Sequence, residues 1–222
     1  MSLNIAGETI ERVVIIDDED NSRENWSCDV SDAGLVPESK PGPLGELQAF
    51  FSSLCMDKIA SLCDHNLKKS QYAHFNGAEA VSEFYNNHIP SILCTRYTKS
   101  DIDSIRKYLR FIPVLFEPEE LNPESITKGF EICINEFKNS FLPNRKSWRT
   151  LIRVEDIDNE TSPAKVFVVL PGWNTNETIG IPIDLIPNEY HHRVHAEARF
   201  HAHVNKGVED QNRLYFENFE FD

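Results

Sequence analysis

In Val13-Val14-Ile15-Ile16-Asp17-Asp18-Glu19-Asp20, four consecutive β-branched apolar residues run straight into four acids. A short unbroken apolar run predicts a strand buried on both faces, and the abrupt change of character places polar groups at its C-terminal tip. The same pattern recurs downstream. Residues 20–33 read as a helix and 34–37 as a short second strand. Pro41-Gly42-Pro43 breaks the chain, and Leu47, Phe50, Phe51 and Leu54 give residues 46–56 the spacing of an amphipathic helix. Residues 59–63 form a third expected strand ending at Asp64, followed by a helix over 77–87. Residues 91–94 form a fourth, ending at Thr95, with Ser100 capping a helix through Leu109. Residues 112–116 form a fifth, ending at Glu117-Pro118, and Pro123 opens a last helix through Lys138. Five strand–helix repeats predict an α/β domain over residues 11–139, a five-stranded doubly wound parallel sheet. Functional groups of such sheets gather beyond the carboxyl ends of the strands, here Asp17, Asp18, Asp64, Thr95 and Glu117.

The pattern changes near residue 140. Strands are expected at 151–154, 166–170, 179–185, 193–204 and 214–221, separated by turns such as Pro171-Gly172 and Lys206-Gly207. Residues 148–222 therefore read as a small antiparallel all-β domain, a barrel or a sandwich, with 140–147 as the linker.

Composition narrows the function classes. Hydrophobic residues make up 40% of the 222 positions and charged residues 26%, the balance of a globular protein. Asp and Glu number 36 against 22 Lys and Arg, a formal charge of −14 that opposes binding to nucleic acid or anionic lipid. The absence of a long apolar run excludes a transmembrane helix, and MSLNIAGETIERVV has no signal-peptide pattern. Five scattered cysteines predict neither a disulfide framework nor a zinc site, and fit a reducing cytoplasm. Cys63 and Cys94 read as buried packing groups.

The phrases VVIIDDED, LCDHNL, ILCTRY and LFEPEEL stand in order, with 18, 64, 95 and 117 separated by 46, 31 and 22 positions. Together they resemble the receiver domain of response regulators, which has a flavodoxin-like fold, over roughly residues 11–139. The resemblance leaves the last 80 or so residues unrecognised. It implies that Asp17, Asp18 and Asp64 hold a divalent cation, usually Mg²⁺, a hard ion suited to carboxylates. It implies further that Asp64 accepts a phosphoryl group and that Thr95 hydrogen-bonds the acyl phosphate. The implied partner is a protein, a histidine kinase or a downstream effector, with residues 95–117 as the contact face; a homodimer is a further expected assembly.

One position departs from the family. A Lys is expected immediately before Pro118, and Glu117 stands there. Two like charges at ~4 Å and an effective dielectric of about 20 repel by about 4 kcal/mol. An acidic pocket of Asp17, Asp18, Asp64 and Glu117 must therefore be relieved by protonation, by outward rotation of Glu117, or by a tightly held metal. Val114 also replaces the aromatic residue that the family places three positions before the Lys.

Residues 190–204 hold five of the eight histidines. Strand alternation would place His191, His195, His201 and His203 on one face, where His195, His201 and His203 form a candidate metal site. Three functions follow. The first is an atypical, phosphorylation-independent receiver-like regulator acting through protein contacts. The second is a phosphorylatable response regulator with a β-domain output. The third is a metal-dependent enzyme using the histidine cluster.

Overall fold

The computed structural model describes residues 2–96 and 102–221. They divide into two compact units, residues 2–96 with 111–141 and residues 102–110 with 142–221.

The first unit opens with a hairpin, β1 (Leu3–Ile5) and β2 (Glu8–Ile10), that the sequence reading did not anticipate. Its turn uses Ala6 and Gly7, both at positive φ. The main sheet comprises β3 (Arg12–Ile16), β4 (Val36–Ser39), β5 (Ile59–Cys63), β6 (Ser91–Cys94) and β7 (Val114–Phe116). Its order is β4-β3-β5-β6-β7 and every pairing is parallel, so the expected sheet is present. Between the strands run α1 (Asp20–Asp32), α2 (Leu47–Ser53) and α3 (Gly77–Asn86), with α5 (Pro123–Phe137) closing the unit. β3, β5 and β6 carry almost no solvent-exposed side chains, as their unbroken apolar sequences require.

Alternate strand residues face opposite helical layers. Val13, Ile15, Leu62, Ile92 and Val114 pack with Trp26 and Val30 of α1 and with Phe130 and Ile134 of α5. On α5, Gly129 permits the close approach, since a methyl there would lie 2.7 Å from Ile92 Cδ1. Local sequence sets the helix starts. Asn122 Oδ1 accepts the N–H groups of Glu124 and Ser125, and Asn76 Oδ1 accepts that of Glu79 at 2.9 Å.

The second unit contains β8 (Trp148–Asp158), β9 (Lys165–Leu170), β10 (Asn174–Pro182), β11 (Arg199–Val204) and β12 (Phe216–Glu220). They form one antiparallel sheet in the order β10-β9-β8-β11-β12, the expected all-β unit. Strand alternation turns Ile152, Val154, Val168, Phe200 and Ala202 into its core. Two strand expectations were too long. Residues 183–185 and 188–193 form 3₁₀ turns, because Pro187 interrupts strand pairing and the His191 imidazole packs 2.7 Å from the Ile186 carbonyl.

The expected domain limits also shift. Helix α4 (Ile102–Arg106), the crossover expected within the α/β repeat, belongs to the second unit. There the buried Arg106 guanidinium donates to the carbonyls of Gln211 and Leu214, while Lys107 pairs with Asp184 and Asp103 with Lys165. The expected cap of this helix, Ser100, lies outside the described residues. Of the segment expected as a linker, residues 142–147 are likewise built into the second unit. Buried Arg145 donates to the Leu109 and Arg110 carbonyls at 2.8 and 2.7 Å, and Tyr215 donates its hydroxyl to the Arg145 carbonyl at 2.6 Å. Among the described residues, no helix is long and apolar enough to cross a membrane.

Candidate functional site

Pairing continues one residue past the strand ends and so holds the tips together. Asp64 N–H donates to the Ile16 carbonyl at 2.8 Å, and Thr95 N–H to the Phe116 carbonyl at 2.9 Å. Asp17, Asp18, Asp64 and Thr95 consequently line one crevice of about 500 Å³ at the carboxyl edge of the sheet. Four of the five expected site residues meet as the sequence spacing implied.

Glu117 does not. It is exposed and lies outside the crevice, at the start of a 3₁₀ turn over Pro118–Glu120, where Glu120 Oε2 accepts its backbone N–H at 2.8 Å. Of the three routes of relief expected for a four-acid pocket, outward rotation is the one this structure adopts for Glu117.

The remaining acids are satisfied from within the chain. Asp17 is buried, and its Oδ1 accepts the Glu19 N–H at 2.7 Å. Asp64 Oδ2 accepts the Asn66 N–H at 2.9 Å, and its carboxylate is also hydrogen-bonded by the Thr95 hydroxyl. Asp18 Oδ2 accepts the Lys69 N–H at 2.7 Å. Burial pushes the Asp17 carboxyl up from its ordinary 3.8 to about 7, with the charges of Asp64 and Asp18 adding to the rise. Burial likewise raises Asp64 to about 6, against the lowering effect of its backbone and Thr95 hydrogen bonds.

The stability consequence has a definite sign. A carboxyl with a raised pKa binds its proton more tightly in the folded state, so its contribution opposes folding above the folded pKa and vanishes below the unfolded one. The α/β unit should gain stability as pH falls from about 7 to about 4, by on the order of 3 kcal/mol for the coupled pair. Asp17→Asn, which keeps the acceptor oxygen, should stabilise the protein at pH 8 and flatten this dependence in denaturant titrations. An unchanged slope would contradict the placement of Asp17.

Sequence reading missed the crevice's basic and aromatic wall. Lys68, Lys69 and Arg96 line it, with Trp26 from α1. Lys69 Nζ bonds Glu19 Oε1 at 2.8 Å. The buried Arg23 donates to the Asp17 carbonyl and pairs with Asp20, fixing the loop after β3 against α1. The available signal was positional: basic residues occur within five positions after Asp64 and immediately after Thr95.

The carboxylates fit a hard divalent ion in kind, yet their arrangement does not. Among the described residues, no group of three or more His, Cys, Asp or Glu is arranged to hold a metal, because the acid oxygens are turned onto backbone N–H groups. The same applies to the histidines. His201 and His203 lie on the solvent side of β11, whereas His195 precedes the strand, its Nδ1 at 2.8 Å from the Ala196 carbonyl. Cys63 and Cys94 are buried as expected, and burial pushes the Cys94 thiol up to about 12 and Cys63 well above its ordinary value.

No family model matches the chain, and no curated protein matches it. Among solved structures, it is similar to a response regulator receiver domain protein from Clostridium thermocellum, with 14% identity and a TM-score of 0.43 over 59% of this chain and 98% of that one. It is also similar to a response regulator receiver protein from Pseudoalteromonas atlantica, with 12% identity and a TM-score of 0.42 over 57% and 98%. A receiver domain protein from Methanospirillum hungatei gives 13% and 0.41 over 59% and 98%. The likeness concerns fold, and nothing about activity follows from it.

Proposed function

We propose that the α/β unit is a receiver-like regulatory module that works through protein contacts without accepting a phosphoryl group. The observation carrying this reading is the behaviour of the fifth strand end. Glu117 replaces the expected cation and points away, so nothing on β7 offers positive charge to a phosphoryl group on Asp64. In-line transfer to a carboxylate depends on positioning and charge neutralisation, and the fifth strand end contributes no cation to it here. The expected contact segment supports an effector within the same chain. Residues 102–110 of that segment are part of the second unit.

Incubation with acetyl phosphate and Mg²⁺, followed by intact-mass measurement, tests the reading. No phosphoryl adduct is expected on the wild-type chain. An adduct that disappears in Asp64→Ala would show a working receiver and overturn the proposal.

A further inference from the structure

The amino-terminal edge of the parallel sheet, opposite the acidic crevice, carries a second cavity of about 610 Å³. That lies within the range of about 300–1,000 Å³ typical of small-molecule sites. The β1–β2 hairpin, the turns entering β5 and β6, and the end of α5 frame it, all within the first unit. Its floor is apolar, with buried Pro90 and Ile134 beside half-buried Phe137. Met56 is exposed at the rim, an unbranched thioether that can follow the shape of a ligand.

The rim is charged and balanced. Glu8 and Asp57 supply two negative groups, Lys58 and Lys138 two positive ones. Lys138 Nζ lies 3.3 Å from Glu8 Oε1, and Lys58 Nζ bonds Glu11 Oε1 at 2.9 Å. These pairs are solvent-exposed, so a ligand can exchange with them at little cost. An ion of one sign gains on half of this rim what it loses on the other half. A molecule carrying both charges on an apolar body suits rim and floor together.

Two rim positions keep side chains where glycine is the ordinary residue. Lys58 and His88 stand at φ values of 53° and 57°, and His88 directly follows the cap of α3. The His88 ring meets the edge of Phe137 with centroids 5.3 Å apart. We propose that this cavity binds a small zwitterion with an apolar side chain, a free amino acid. Lys58 and Lys138 receive its carboxylate, Glu8 and Asp57 its ammonium, and Met56 and Phe137 its side chain. The site uses none of the crevice residues, so it gives the α/β unit an input separate from Asp64.

Titration of the full chain with L-leucine, L-methionine and L-phenylalanine, read by saturation-transfer NMR, supplies the test. At least one of the three should saturate with a Kd of about 1 mM or tighter. The amine and the carboxylic acid that each lack one charge of the tightest binder should bind at least about tenfold more weakly. The double variant Glu8→Gln/Asp57→Asn removes both rim carboxylates and should lose a similar factor. The matched change Glu155→Gln/Asp156→Asn, at exposed positions of the second unit, should leave affinity unchanged. No saturation by any of the three up to about 10 mM overturns the site. So does a one-charge analogue that binds as tightly as the amino acid, or an affinity that survives loss of Glu8 and Asp57. The analogue comparison uses the wild-type chain and holds however the variants fold. A phosphoryl adduct on Asp64 would defeat the regulatory reading and leave this site standing.

Discussion

Gly77→Ala is expected to be among the most damaging single-methyl additions in the α/β unit, costing about 3–5 kcal/mol or preventing folding. Gly77 opens α3, and its backbone N–H donates to the His65 carbonyl at 2.9 Å. A Cβ there would lie 1.7 Å from the Asp64 carbonyl oxygen and 3.0 Å from Cys63 Sγ. The first obstacle is backbone, so no rotamer change relieves it; either α3 lifts from the sheet or the tip of β5 moves. Moving that tip displaces Asp64, and the effect should therefore reach the crevice. Hydrogen exchange read by mass spectrometry should show lost protection over β5 and α3, with residues 142–221 less affected. Gly172→Ala is the control: its added methyl would meet only ordinary contacts at 3.6 and 3.8 Å, and a change below about 1 kcal/mol is expected. Wild-type stability in Gly77→Ala would refute the packing described here.

Asn205→Ala should have a comparable effect on the second unit, about 3–5 kcal/mol. Asn205 is 1% exposed. Its Nδ2 donates to the Asn144 and Arg213 carbonyls at 3.2 and 3.1 Å, and its Oδ1 accepts the Tyr215 N–H at 2.7 Å. One amide thus joins the segment entering β8, the turn before β12 and the end of β11. Alanine leaves buried donors and acceptors without partners, and each such group costs about 1–3 kcal/mol. Denaturant titration should show the second unit unfolding at lower denaturant while the α/β unit keeps its midpoint. A shift below about 1 kcal/mol would mean that water replaces the amide.

Much of the first unit was legible because each signal was local. Residues 59–63 and 91–94 are apolar runs bounded by polar residues, and both strands occur where the runs are. The helix starts read at 77 and at Pro123 also occur where expected, and the caps that set them, Asn76 and Asn122, act within three residues. The second unit was less legible. Its histidine-rich stretch alternates like a strand from 193 to 204, but the strand begins only at Arg199. Alternation describes which face a residue would take once a neighbouring strand exists, and Pro187 with the turns after it keeps residues 188–193 out of the ladder.

The convergence of Asp17, Asp18, Asp64 and Thr95 was set by sequence alone, because a parallel sheet carries every strand tip to the same edge. The direction of Glu117, the grip of Lys69 on Asp18 and Glu19, and the transfer of α4 to the β-rich unit were decided only in three dimensions. Arg106 finds its carbonyl partners 105 and 108 residues away, and Lys69 finds its acids some fifty residues back. Periodicity and capping report on the few residues around a position, whereas the pairing of a charge depends on which distant groups the completed fold brings within reach.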